Sequence, residues 1–178
     1  GFAALVEAVD AALGRVWDAA GKASLARRLS GSAARSVFGG YVLLERDPSG
    51  REAVPRPLLG AGDWPLEVVV AVVSEDAKEP GSTEGMERSR RTSDYYDAWV
   101  GSHARDLAAA RDAVLARDFE ALADLAEASC LKMHAVIMTS QPPLFYWLPE
   151  SLGLMKAVKG WQKEGLPVTY TLDAGPNV

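Results

Sequence analysis

Apolar residues open the chain at helical spacing: Phe2, Leu5, Val6, Val9 and Leu13 recur three and four residues apart and Gly14 follows, which predicts a helix over 2–13. A short segment at 23–29 leads into the small residues Ser30-Gly31-Ser32-Ala33-Ala34-Arg35-Ser36, then Val37-Phe38-Gly39-Gly40 and a predicted strand at 41–45. Proline and glycine crowd 46–64, which reads as a turn and connection. The stretch 66–73 is nearly unbroken in β-branched residues, the pattern of a strand buried on both faces, and a domain boundary is placed near it. From 82 to 131 the periodicity turns helical; three helices are predicted, with Gly101-Ser102 as a stop and restart and Asp118 as a cap. Pro142-Pro143 breaks that pattern. A further helix is predicted at 152–162 and a strand at 168–172, ending in the turn Asp173-Ala174-Gly175-Pro176-Asn177. No internal repeat is present.

Strand, helices, strand in that order predict an α+β fold with helices packed on one side of a sheet. The bulk composition, 48% hydrophobic and 24% charged over 178 residues, is that of an ordinary globular protein, and no apolar run approaches the ~20 residues a membrane helix needs. A net charge of -5 argues against a nucleic-acid partner, which calls for a basic face. Cys130 is the only cysteine and His103 and His134 the only histidines, so neither an internal disulfide nor zinc-ligand spacing is available, and the cytoplasm is the default compartment. Residues 1–6 are already in helical rhythm without a methionine, a capping residue or a signal-peptide pattern, and 166–172 ends with nothing following to cover it. Both features read as a fragment of a longer chain.

Ser30, Gly31, Ser32 and Arg35 place two hydroxyls, a permissive glycine and a guanidinium within six residues, a set able to hold an anion such as phosphate. The alternative is a helix cap at Ser30 or Ser32 with a surface arginine. Gly81-Ser82-Thr83-Glu84-Gly85-Met86 opens a helix, so its free N–H groups and the helix dipole also suit a phosphate, or Ser82 or Thr83 is simply the cap. Glu84–Arg88 and Glu87–Arg91 read as solvated pairs one turn apart. Asp173, closing a strand before Gly175 and Pro176, is placed to act as a general base over a sheet edge, or to bond its own backbone in an Asx turn. His134 and Cys130 lie on an apolar helix and read as core residues, and the aromatics of Gln141-Pro142-Pro143-Leu144-Phe145-Tyr146-Trp147 read as packing between helices.

Five blocks taken in order resemble the mevalonate diphosphate decarboxylases of the GHMP kinase superfamily. They are Gly1-Phe2-Ala3-Ala4-Leu5, similar to the helix after that family's phosphate-binding loop; Ser30 through Gly40; Ser82-Thr83-Glu84-Gly85-Met86; Pro142-Pro143-Leu144-Phe145-Tyr146; and Thr171-Leu172-Asp173-Ala174-Gly175-Pro176-Asn177. The second and last are the specific ones. The resemblance implies that 1–62 is the remainder of a ribosomal-S5-like N-terminal domain and 63–178 an incomplete ferredoxin-like C-terminal domain. It also implies ATP-dependent decarboxylation of mevalonate 5-diphosphate to isopentenyl diphosphate, with ATP and Mg²⁺, in a homodimer.

By the same resemblance Asp173 is the base facing the 3-hydroxyl and Arg35 binds the substrate carboxylate. Ser30, Gly31 and Ser32 hold the diphosphate, Ala174 lies against substrate, Ser82 orients ATP phosphates, and no side chain is assigned to a metal. The family's glycine- and serine-rich ATP loop and a substrate-contacting lysine precede the position of Gly1, and its closing helix and strand follow Val178. These 178 residues alone are therefore expected to lack decarboxylase activity. Ala34 stands where the family commonly has a small polar or sulfur residue. The rivals are a phosphomevalonate decarboxylase, a mevalonate 3-kinase, disfavoured because Asp173 is present, and a non-catalytic homologue.

Overall fold

A computed structural model describes residues 1–46, 53–76 and 80–178, which fall into two compact units, Gly1–Leu66 and Glu67–Val178. In the first unit α1 (Phe2–Ala12) packs on α2 (Ala19–Leu29) and on a 3-10 helix, Gly31–Val37. Val6 is 2% exposed and nests against Ala26 and Ala33, whose small side chains let the helices approach closely. Asp18 starts α2 by accepting the Gly21 N–H at 2.7 Å. Lys22 bridges back to Asp10 at 2.9 Å and Glu7 at 2.7 Å, and Asp10 also accepts the Trp17 N–H at 3.2 Å. This carboxylate therefore fixes both the α1–α2 angle and the link between them, and the Lys22 bond holds its carboxyl below the usual range.

Strand β1 (Tyr41–Arg46) pairs antiparallel with β2 (Ala53–Leu59), Tyr41 opposite Leu59 and Arg46 opposite Ala53. The second strand occupies ground expected to be connection, because Pro55 and Pro57 look like strand breakers. In a two-stranded ribbon one side of every strand is an edge, where a missing N–H costs no ladder bond. Gly40 enters β1 with φ +78°, and a Cβ there would stand 2.3 Å from the Leu59 carbonyl oxygen, so glycine is required. Tyr41 stacks on Trp64 at 5.4 Å between ring centres and donates its hydroxyl to the Trp64 carbonyl at 2.7 Å.

The second unit holds α3 (Ser82–Thr92), α4 (Tyr96–Ala116), α5 (Phe119–Met138) and α6 (Pro149–Lys163). Asp118 caps α5 as the sequence predicts, accepting the Ala121 N–H at 3.0 Å. Gly101-Ser102 does not stop α4. A single interior glycine costs only about 1 kcal/mol relative to alanine, and the Ser102 hydroxyl bonds the Trp99 carbonyl at 2.9 Å within the same helix. Helix α5 is the core element, burying Ala123, Cys130, His134, Val136 and Ile137.

Neither strand expected in this unit forms a ladder. Residues 168–172 run extended with period-two alternation, Tyr170 and Leu172 buried with Cys130, Met155 and Val158 while Thr171 points out. Their partners are helices α5 and α6. Residues 66–73 are likewise outside any ladder, and Val68 and Val69 are 87% and 83% exposed, not buried on both faces. The segment is tied toward its end, where Ala71 and Val178 exchange backbone bonds of 2.8 and 3.2 Å and the Val73 N–H donates to Asn177 Oδ1 at 2.8 Å. Among the described residues the one sheet is the β1–β2 ribbon, so the helices of the second unit pack on each other and on extended chain, not on one side of a sheet. No helix among the described residues is long and apolar enough to cross a membrane.

Two carboxylates fasten the helices of this unit. Glu127, 6% exposed, accepts from Lys159 Nζ at 2.7 Å, Gln162 Nε2 at 2.7 Å and Thr169 Oγ1 at 3.1 Å. Burial raises its carboxyl, and the three donors together outweigh that and leave it below the ordinary value. Asp106 of α4 is held at about 2, chiefly by the bond from Lys132 of α5, with Arg105 and Ser102 adding to it. Groups lowered by folding lend stability above their unfolded values and lose it as pH falls toward the folded ones. The melting temperature is therefore expected to fall as pH drops from ~4 to ~2, and Asp106→Asn to flatten that decline. A variant with an unchanged acid slope removes Asp106 from the account.

Candidate functional site

In the first unit the small-residue run gathers around the start of α1. The first residues of this helix, Gly1 to Ala4, line a cavity of about 420 Å³ with Ser30, Ser32, Ala33 and Ser36. The hydroxyls of Ser30, Ser32 and Ser36 therefore share one hollow. Ser32 and Ser36 also border a second hollow, about 490 Å³, with Arg35, Phe38, Gly40 and Tyr41.

The 3-10 helix makes this possible. With about three residues per turn, Ser32 and Arg35 stack on one side, while Ala33 and Ala34, 8% and 0% exposed, anchor the other. Ser30 Oγ lies 3.3 Å from Ser32 Oγ and neither hydroxyl caps the helix, so the capping alternative fails for both. Arg35 is exposed and has no ion-pair partner among the described residues. Gly31 has no positive φ, and a Cβ there would touch nothing within 4 Å. Neither backbone nor packing demands glycine at that position.

In the second unit Gly81 is the N-cap of α3 and contributes no side-chain cap, so Ser82 is the first helical residue and its hydroxyl is free of capping duty. Glu84 is engaged with Arg88 at 2.9 Å, and Glu87 takes Arg90 at 2.7 Å with Arg91 at 3.5 Å. These are surface pairs.

Asp173 lies in the tight turn where the Gly175 N–H bonds the Asp173 carbonyl at 2.7 Å. Its carboxylate is exposed and makes no hydrogen bond or ion pair with the described residues, so the Asx-turn alternative does not hold either. Beneath it Ala174, 8% exposed, packs with Ile137, Leu144, Tyr146 and Met86. Tyr146 donates its hydroxyl to the Pro80 carbonyl at 2.9 Å. The proline-aromatic segment thus joins the turn that carries Asp173 to the turn that carries Ser82. Arg35, Ser30, Gly31 and Ser32 belong to the first unit and Ser82, Asp173 and Ala174 to the second.

His134 and Cys130 are core residues. His134 is 1% exposed, leans on Trp147 at 4.7 Å between ring centres and sets Nε2 3.4 Å from the Leu172 carbonyl. Burial pushes its imidazole down, so it is neutral at pH 7. Cys130 Sγ accepts the Leu172 N–H at 3.3 Å, and burial raises the thiol. Neither is poised for catalysis.

The supports that sequence reasoning missed are Ser36, Ser151 and Asn177. Ser151 donates to the Pro176 carbonyl at 2.5 Å, and Asn177 Oδ1 accepts from the N–H groups of Val73 and Ser74 at 2.8 and 3.1 Å. Ser36 and Asn177 stand inside matched motifs with no role assigned to either, and Ser151 carries no signal. Among the described residues no three His, Cys, Asp or Glu side chains cluster closely enough to hold a metal. The donors present are hydroxyls, the N-terminus of α3 and a guanidinium, which suit phosphate and carboxylate. Mg²⁺ fits such a set when it is carried largely by phosphate oxygens.

Residues 1–54 match the diphosphomevalonate decarboxylase-like N-terminal domain, and residues 68–178 the mevalonate 5-diphosphate decarboxylase C-terminal domain. The diphosphomevalonate decarboxylase of Candida albicans is 35% identical over 181 residues, covering 99% of this chain and 50% of its own length. The crystal structure of mevalonate diphosphate decarboxylase from Staphylococcus aureus superposes with a TM-score of 0.86 at 33% identity, over 99% of this chain and 54% of that one. A chain named MDDEF, in complex with MVAPP, AMPPCP and magnesium, superposes with a TM-score of 0.89 at 35% identity, over 99% of this chain and 54% of that one. The chain thus spans about half the length of the curated relatives it matches.

Proposed function

Because this chain belongs to the diphosphomevalonate decarboxylase family, we propose that it supplies substrate-binding and catalytic groups for the ATP-dependent decarboxylation of mevalonate 5-diphosphate to isopentenyl diphosphate. The two units are read as part of a ribosomal-S5-like domain and part of a ferredoxin-like domain, and the reading requires Arg35 and Asp173 to face one substrate. The observation that carries it is Asp173: an exposed carboxylate without a hydrogen-bond or ion-pair partner among the described residues, on a main-chain turn fastened from both sides. Carboxylates kept only for solubility do not need such support.

Asp173 accepts the proton of the 3-hydroxyl as that oxygen bonds phosphorus, and Ser82 at the open end of α3 aligns the phosphates. Bound ATP with its magnesium would supply the phosphoryl group, the bond between its γ-phosphorus and the bridging oxygen breaking so that ADP leaves. Arg35 holds the substrate carboxylate through paired hydrogen bonds, while Ser30, Gly31 and Ser32 receive the diphosphate. The C1–C2 bond then breaks, its electrons form the C2–C3 double bond, and the C3 oxygen leaves as phosphate together with carbon dioxide. Asp173 is exposed, so it passes that proton to solvent and, an anion again beside C3, stabilises the positive character that develops there.

The test is ATP-dependent carbon dioxide release from mevalonate 5-diphosphate by the protein carrying these residues, compared with its Arg35→Gln variant. Loss of one charged hydrogen-bonding partner is expected to lower kcat/KM about 10–100-fold, from the 1.5–3 kcal/mol such bonds contribute. No release by the parent protein, or an Arg35→Gln variant equal to it, refutes the reading.

A further inference from the structure

Asp173 is exposed and its carboxylate has no side-chain partner among the described residues. Nothing bonded to the carboxylate can therefore aim it, and its direction must come from the main chain on either side. Upstream, Leu172 is 2% exposed, with its N–H on Cys130 Sγ at 3.3 Å and its carbonyl 3.4 Å from His134 Nε2. Downstream, the Pro176 carbonyl takes the Ser151 hydroxyl at 2.5 Å, and Val178 pairs with Ala71. Between them Asn177 spends one atom twice: Oδ1 receives the N–H of Val73 at 2.8 Å and that of Ser74 at 3.1 Å.

An amide oxygen has two acceptor sites and both are filled by neighbouring main-chain donors. The side chain thereby takes the place of a strand partner for Val73 and Ser74, which no ladder serves.

We propose that Asn177 is a positioning residue for Asp173, a double acceptor that locks the 173–177 turn to the chain at 73–74 and so sets the direction of the carboxylate. This rests on the reading of Asp173 as the base. It follows that only the acceptor oxygen of Asn177 matters, not its NH₂ group, and that its loss disturbs turnover more than binding.

The test is steady-state kinetics of the full protein carrying these residues, with Asn177→Ala, Asn177→Asp, Ser151→Ala and Asp173→Asn compared after each is shown to be folded by circular dichroism. Asn177→Ala is expected to lower kcat about 10–100-fold, the penalty for misplacing a reacting group by about 1 Å, with the KM for ATP changed by less than about 3-fold. Asn177→Asp presents the same acceptor and is expected to recover kcat to within about 3-fold of the parent. Should Asn177→Ala fail to fold, Ser151→Ala loosens the same turn without stranding two N–H groups and is expected to lower kcat in its place. An unchanged kcat in Asn177→Ala, or in Ser151→Ala when it stands in, overturns the inference, as does an Asn177→Asp no better than Asn177→Ala. A fully active Asp173→Asn instead refutes the role of Asp173 itself.

Discussion

Replacing Asp173 with asparagine is expected to lower the turnover of ATP-dependent decarboxylation about 10²–10⁴-fold, the usual contribution of a positioned general base. Asparagine matches aspartate in size and keeps the turn, whose closing bond is main chain to main chain, from the Gly175 N–H to the Asp173 carbonyl. The carboxylate is exposed and unpaired among the described residues. The substitution should therefore change stability by no more than about 0.5 kcal/mol, as surface substitutions away from special features usually do. Activity and folding are thus separable at this position. A variant with the parent's turnover denies Asp173 its part, and one that melts early shows a structural duty the geometry does not contain.

The largest stability effect is expected at Gly85, inside α3. A Cβ there would lie 2.5 Å from the Tyr146 hydroxyl oxygen and 3.2 Å from Leu144 Cδ1. Tyr146 cannot swing aside freely, because that hydroxyl is bonded to the Pro80 carbonyl at 2.9 Å and the ring is buried. Gly85→Val is expected to cost about 3 kcal/mol from overpacking and the broken bond, seen as a fall in Tm of roughly 10 °C. Tyr146→Phe removes the clashing oxygen, so the double variant should lose at least about 1 kcal/mol less than the sum of the two singles. Additive losses in urea titrations rule out this contact as the cause.

What the sequence made legible follows the range of each interaction. The Asp118 cap and the helices around it depend on residues a few positions apart and were readable directly. The β-branched run at 66–73 predicts a buried strand and forms neither a ladder nor a core, because pairing and burial depend on what packs against a segment, and valine pattern does not carry that. Pro55 and Pro57 misled for the converse reason: a proline forbids a central strand but not a ribbon edge. At the candidate site, motif order identified Arg35, Ser82 and Asp173 as residues of interest, while their local chemistry left capping and Asx turns open. The absence of those local bonds favours the ligand readings. Asn177 stood in a recognised motif, yet its partners are 103 and 104 positions away and no local rule points to them.

Cys130 is the only thiol in the chain, and it is shut beneath Leu172, whose main chain it bonds on both sides. A sulfhydryl reagent can reach it only when the extended segment before Asp173 lifts away from α5. The protein therefore carries a native gauge of how often that segment opens. With no label introduced, alkylation rates register the breathing of the backbone that presents the carboxylate.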